Sequence, residues 1–81
     1  MMPPRLRHPQ TPRLLARNVW HYREQRRMTA QVLAEHLDWP LVEIDRIENG
    51  DKLDLSLDQL EVLSLALHCE PADLLRRNGS H

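Results

Sequence analysis

Residues 28–50 read MTAQVLAEHLDWPLVEIDRIENG, and this stretch predicts two short helices joined by a tight turn. Thr29 is a typical N-cap, so we expect the first helix at 29–37. Pro40 disfavours helical backbone at the residue before it and suits the first turn of a helix, which places the second helix at 40–49. Two short helices in this order have the layout of a helix-turn-helix.

Both helices carry apolar residues at the three- and four-residue spacing of an amphipathic helix. The predicted inner positions of the first helix are Ala34, Leu37 and either Val32 or Leu33. Those of the second helix are Leu41, Ile44 and Ile47. Asn49-Gly50 is predicted to end the second helix, because these residues tolerate left-handed backbone.

Three further helices are predicted around this pair. Upstream, Thr11-Pro12 resembles an N-cap followed by a proline at the first helical position, with the helix running to Arg27. Downstream, Ser56 and Gln59 match a capping box. The apolar faces that we expect in these two helices are Leu15, Val19 and Tyr22 in the first, and Leu57, Leu60, Leu63 and Leu67 in the second.

His68 is expected to end the fourth helix, and Pro71 to open a last short one that reaches Leu75. The 81 residues leave room for one domain. We therefore predict an all-α, compact five-helix domain over 11–76, with the helix-turn-helix at 29–49. A flexible Pro- and Arg-rich arm is predicted at 1–10, and a polar tail at 77–81.

Several classes of protein are disfavoured by composition. The single cysteine, Cys69, excludes an internal disulfide, and no two histidines are spaced as a helical metal pair, so we expect no metal and no cofactor. No apolar run approaches the roughly 18 residues of a membrane span, and no signal peptide is visible, which predicts a cytoplasmic protein. His68, Cys69 and Glu70 are adjacent and do not form a nucleophile–base pair by spacing, so we expect no enzyme.

Charge is divided unevenly along the chain. Residues 1–27 hold seven Arg against Glu24 alone, a formal charge of +6, whereas residues 28–81 sum to −7. Such a division suggests an anionic partner for the first part, most often nucleic acid. The alternative is that the basic end is only a solvated surface.

The order and spacing of these residues resemble the lambda-repressor-like, Cro/C1-type family of helix-turn-helix domains. The resemblance runs from Asn18 to Leu75. Its stretch Leu55-Ser56-Leu57-Asp58-Gln59-Leu60, with Pro71-Ala72-Asp73, is most similar to actinobacterial and actinophage members, which suggests a phage or prophage origin. The positions that carry the resemblance are Met28-Thr29, Leu33-Ala34, Leu37, Ile44, Ile47-Glu48-Asn49-Gly50, Leu57, Leu60, Leu63, Ala66-Leu67 and Pro71-Ala72-Asp73-Leu74-Leu75.

The resemblance implies double-stranded DNA as partner and assigns roles to individual residues. Ala34 lies where a small side chain lets the two helices cross closely. Glu48 matches an acid that forms a largely buried ion pair with an Arg of the first helix, here Arg23. Asn49 matches a phosphate contact, and Lys52 is placed for another; such contacts position a protein without reading sequence.

Base reading is expected from Leu41, Val42, Glu43 and Arg46 in the first turns of the second helix. Arg46 offers bidentate contacts to guanine, whereas Leu41 and Val42 offer only apolar contact. Glu43 offers an acceptor for cytosine N4, but its carboxylate is repelled by phosphate. Polar residues are usual at those two positions in the family. Ala30 stands where many members carry a DNA-contacting Gln, and Gln31 is one position away.

Residues 28–50 carry a net charge of −4, which is unfavourable for DNA binding, and two functions remain open. In one, the domain is a repressor-type transcriptional regulator whose missing positive charge comes from Arg5, Arg7, Arg13 and Arg17. In the other, it is a protein-binding adaptor or anti-repressor that uses the apolar surface of Leu41 and Val42, with Trp39.

A homodimer is expected of a repressor, since such proteins bind paired half-sites. Val62 and Leu65 are either a second apolar face for a partner or a part of the core packed by the first helix. Trp20 is likewise either a partner contact or a ring lying over the first helix.

Overall fold

The computed structural model describes residues 10–52 and 54–77, and all regular structure in these residues is helical. In chain order the helices are α1 (Gln10–Gln25), α2 (Ala30–Leu37), α3 (Leu41–Glu48), α4 (Leu57–Ala66) and α5 (Pro71–Leu74). The predicted all-α class, with five helices, is confirmed. Residues 1–9 of the predicted arm and 78–81 of the predicted tail lie outside the described residues.

One apolar core joins the five helices. The helix α1 packs against α3 and α5, and α2 packs against α3 and α4. The helix α4 also packs against α5, so the five helices surround one core. The buried apolar members are Leu15, Val19, Leu33, Ala34, Leu37, Ile44, Ile47, Leu60, Leu63, Leu67 and Leu74.

Two predicted N-caps are confirmed by their hydrogen bonds. The Val32 backbone N–H donates to Oγ1 of Thr29 at 3.1 Å, which satisfies one of the free donors at the start of α2. At α4 the capping box is complete: the Gln59 N–H donates to Oγ of Ser56, and the Ser56 N–H donates to Oε1 of Gln59, both at 3.0 Å.

The first four helices end in the same way. A residue with positive φ follows each helix: Arg27 (57°), Asp38 (57°), Gly50 (78°) and His68 (59°). The next residue's N–H then donates to the carbonyl five positions back, as from Met28 to Arg23 and from Asp51 to Arg46. This is the hydrogen bond of a Schellman motif. The predicted ends at Gly50 and His68 are confirmed.

Both predicted boundaries of the first helix and the predicted start of the third are wrong. The first helix already includes Gln10, so Thr11 is not its N-cap, and it ends at Gln25 because Arg27 is left-handed. The third begins at Leu41, because Pro40 keeps the extended backbone of an N-cap (φ −62°, ψ 145°). In each case the error is one or two residues, within the usual uncertainty of a helix end.

Two leucines predicted to be inner residues lie on the surface. Leu57, the first residue of α4, is 83% exposed, and Leu41, the first residue of α3, is exposed as well. Both stand at the start of a helix, where the spacing is correct but the side chain extends past the packed turns. In α2 the inner position belongs to Leu33, which is fully buried, and Val32 is exposed.

Candidate nucleic-acid interface

The helix α3 has one face in the core and one in solvent. Ile44 and Ile47 are buried and fix the helix against the rest of the domain. On the other side Val42 is 58% exposed and Arg46 is exposed too. Positions 42, 46 and 49 follow one another at i, i+4 and i+7, so they form one strip along the helix. We call Val42, Arg46 and Asn49 the outer strip.

The outer strip ends at a shallow groove shared with α1. Arg13, Arg17 and Trp20, again at i, i+4 and i+7, line this groove together with Asn49 and Gly50. The structure therefore brings together three of the predicted DNA-contacting residues, two from α1 and one from the end of α3. Trp20 is half exposed at this place, so its ring is open to a partner.

A cluster of charges lies beside the outer strip. Oε1 of Glu43 is 3.1 Å from Nζ of Lys52, and Oε2 is 3.7 Å from Nη1 of Arg46. The Lys52 ammonium is also 3.4 Å from Oδ1 of Asp54. We call these four residues the Glu43 cluster. Lys52, predicted as a phosphate contact, thus already has two carboxylate partners, and its hydrogen bond to Glu43 raises the pKa of the ammonium group.

A second ion pair anchors the inner side of α3. Nε and Nη2 of Arg23 donate to the two carboxylate oxygens of Glu48 at 2.7 and 2.9 Å, the bidentate arrangement. Nη1 of Arg23 donates to the Met28 carbonyl at 2.8 Å. The two side chains are only 11% and 15% exposed. One guanidinium therefore connects α1, α3 and the loop before α2, and the hydrogen bond to Glu48 raises the pKa of Arg23.

The remaining predicted site residues are less closely grouped. Gln31 is exposed on α2, and its Nε2 donates to Oε2 of Glu35 at 3.3 Å. Arg5 and Arg7 lie outside the described residues. Trp39, considered as part of an exposed patch, is half-buried and packs against the core. Val62 and Leu65 are exposed, so they do not form a core contact with α1.

Two polar residues that hold the fold together were not predicted from the sequence. Asn18 is buried, and its Nδ2 donates to the carbonyls of Leu74 and Arg76 at 2.9 and 2.8 Å, which ties α1 to the end of α5. Its position between Leu15 and Val19 on the inner face was the available signal. Arg26 donates to the carbonyls of Leu67 and His68 at 3.1 and 3.0 Å and thereby satisfies the end of α4.

Features pointing to other chemistry are few in the described part of the chain. Cys69 is half-buried against the core, and burial raises the pKa of its thiol, the opposite of what activates a nucleophile. Over residues 10–52 and 54–77, no group of three or more His, Cys, Asp or Glu side chains is placed to hold a metal ion. Within the same ranges, every helix is too short or too polar to cross a membrane.

Comparisons with known proteins agree with this geometry. The family model of Cro/C1-type helix-turn-helix DNA-binding domains matches residues 18–80. The crystal structure of a hypothetical transcription factor, NHTF, from Neisseria superposes with a TM-score of 0.80 at 20% identity, covering 96% of this chain and 90% of that chain. No curated protein sequence matches the chain.

The solved structure, at 20% identity, supports the fold alone, whereas the family model also supports membership of a family. Its match spans residues 18–80, from Asn18 through the helix-turn-helix of α2 and α3 to the tail beyond α5. That range contains the Arg23–Glu48 pair, the outer strip and the Glu43 cluster. The chain therefore belongs to the family of Cro/C1-type helix-turn-helix DNA-binding domains.

Proposed function

We propose that the protein is a repressor-type transcriptional regulator that binds double-stranded DNA by placing α3 in the major groove. The observation that carries this proposal is the outer strip: Ile44 and Ile47 hold α3 in the core while Val42 and Arg46 face solvent. The fork of Arg46 suits O6 and N7 of guanine, and Val42 suits the methyl group of thymine.

Phosphate contacts are assigned to the groove at the end of α3. Arg13 and Arg17 supply two positive charges beside Asn49, so one DNA strand passing the end of the outer strip would meet three donors. Over the described residues nine cations stand against twelve acids, so this local concentration matters more than the net charge. Arg5 and Arg7 in residues 1–10 add positive charge to the same half of the chain.

Salt dependence tests the proposal. The full chain is incubated with a pool of random DNA duplexes at two salt concentrations, and the bound duplexes are sequenced. We expect an enriched site and an affinity that falls steeply with salt, by roughly 0.9 in log–log slope for each phosphate contact. Absence of enrichment at both salt concentrations would contradict sequence-specific binding.

The role of the arm has a separate test. Deleting residues 1–9 leaves α1 complete and removes Arg5 and Arg7. If both contact phosphates, the salt slope shrinks by about 1–2 units. The matched control replaces both arginines with glutamine in the full-length chain, since it removes the charges and keeps the length. Unchanged slopes in both variants would remove the arm from the interface.

A second function, docking of a protein partner on α3, is favoured by the exposed Leu41 and Val42. They are adjacent at the start of the helix, and both are apolar where a DNA contact is usually polar. Salt distinguishes the two functions, because docking of apolar surface does not weaken as salt rises.

A homodimer would use the exposed Val62 and Leu65 of α4. Sedimentation of the full chain with and without Leu65→Asp tests it.

A further inference from the structure

Glu43 presents a problem for any DNA-binding function of α3. It lies in the first turn, one residue after Val42 and three before Arg46, so it is beside the proposed base-reading side chains. A free carboxylate there would repel the phosphates on both sides of the groove. It would also keep Arg46, whose Nη1 is 3.7 Å from Oε2, away from a base.

The Glu43 cluster contains a second cation that relieves this problem. Nζ of Lys52 is closer to Glu43 than Arg46 is, at 3.1 Å, and it contacts the other carboxylate oxygen. The Lys52 side chain is only 11% exposed, whereas that of Arg46 is 46% exposed. Lys52 thus has the shorter contact with Glu43 and the more covered side chain, whereas Arg46 has the longer contact and the exposed side chain.

We propose that Lys52 is a positioning residue for DNA recognition, which holds and neutralises Glu43 and so releases Arg46 to a guanine. This inference rests on the proposed function of α3. It replaces the expectation that Lys52 binds a phosphate, because its ammonium lies between Glu43 and Asp54, at 3.1 and 3.4 Å. When the domain binds DNA, Arg46 then exchanges Glu43 for a guanine, and Glu43 stays neutralised by Lys52.

A double-mutant cycle distinguishes a Lys52 that acts through Glu43 from a Lys52 that contacts a phosphate directly. The variants are Lys52→Met, which keeps the aliphatic stem and loses the charge, Glu43→Gln, and the two combined. Affinity is measured on the duplex selected by the unchanged chain and on duplexes with each guanine of that site replaced in turn. Thermal unfolding of each variant shows that it is folded at the temperature of the binding assay.

If Lys52 acts through Glu43, Lys52→Met weakens binding by about tenfold and reduces the preference for the guanine read by Arg46. In the Glu43→Gln background, Lys52→Met changes affinity by less than about twofold, since no carboxylate remains to be neutralised. Lys52→Arg keeps the charge and retains binding.

Equal losses from Lys52→Met in both backgrounds would overturn the inference, because the lysine would then contact DNA directly. No loss in either background would overturn it as well. Failure of the proposed function gives a different result: the unchanged chain would bind no duplex with sequence preference, and the inference would fall with it.

Discussion

Glu43 and Glu48, two carboxylates of α3 that form ion pairs, lie at opposite ends of the helix and differ in their partners and in their exposure. Glu48 forms a closed pair: both oxygens accept from Arg23, and little of either side chain is exposed. Glu43 divides its oxygens between Lys52 and Arg46, and nearly half of the Arg46 side chain is exposed.

The difference in exposure explains why two carboxylates of the same helix, each paired with a cation, have different roles. A covered pair that loses one partner leaves a charge without solvation, so the arrangement is costly to open and fixes α3 in place. An exposed partner such as Arg46 exchanges its carboxylate for water, ions or a ligand at little cost, because water screens the charges. The inner pair therefore fits a structural role, and the outer cluster fits a role in recognition.

The largest expected effect comes from opening the inner pair. Glu48→Ala leaves the covered guanidinium of Arg23 without its bidentate carboxylate, with only the exposed Glu24 at 3.9 Å. This should cost about 2–3 kcal/mol, somewhat below the loss for a fully buried pair. For a domain of this size that corresponds to a fall in melting temperature of at least about 8 °C, measured by circular dichroism.

Glu24→Ala is the matched control, since that exposed carboxylate is 3.9 Å from the same guanidinium. Its melting temperature should fall by less than about 3 °C. If Glu48→Ala also shifts the midpoint by under about 2 °C, the inner pair does not anchor α3, and the contrast with the Glu43 cluster disappears.

A smaller effect, in binding and not in stability, is expected from Arg46→Ala. Loss of the bidentate contact should weaken binding to the selected duplex by about 1–3 kcal/mol and relax preference at one base pair. Titration of the selected duplex and of single-base variants measures both. The melting temperature should stay nearly unchanged, because Arg46 is exposed and its partner Glu43 keeps Lys52.

The companion variant Leu41→Asp separates DNA binding from protein docking only together with Arg46→Ala. Leu41→Asp would disrupt either kind of interface. If Arg46→Ala binds DNA with native affinity and selectivity while Leu41→Asp loses a protein partner, α3 is assigned to protein docking.

Much of this architecture is predictable from the sequence, because caps and helical periodicity are local. Helix starts are marked by the local hydrogen bonds of Thr29 and of Ser56 with Gln59, and a helix end by the positive φ of Gly50. Periodicity also identified the buried Ile44 and Ile47. The pairing of Arg23 with Glu48, which spans 25 positions, came from the family resemblance and not from spacing.

What the sequence did not reveal depends on which long side chains meet in space. The contact between Lys52 and Glu43 crosses the end of α3 and has no periodic signal, so the two residues were expected to face DNA separately. The bonds of Asn18 and Arg26 to carbonyls at the ends of α5 and α4 join residues more than 40 positions apart. Leu57 has the right spacing for the core, but it is the first residue of α4 and its side chain is exposed there.

The smallest expected effect is the salt dependence of the stability that Glu43 and Glu48 each contribute to the fold. In about 0.1 M salt, Glu43→Gln should lower the melting temperature by less than about 3 °C, since Lys52 keeps the carboxylate of Asp54 and the exposed Arg46 contributes little. In 1 M salt the Debye length falls to about 3 Å, so this difference should vanish. The fall caused by Glu48→Ala should persist in 1 M salt, because ions do not reach a covered pair. Melting curves of the three chains at both salt concentrations measure this, and equal salt sensitivity of the two variants would show that burial does not separate the inner pair from the Glu43 cluster.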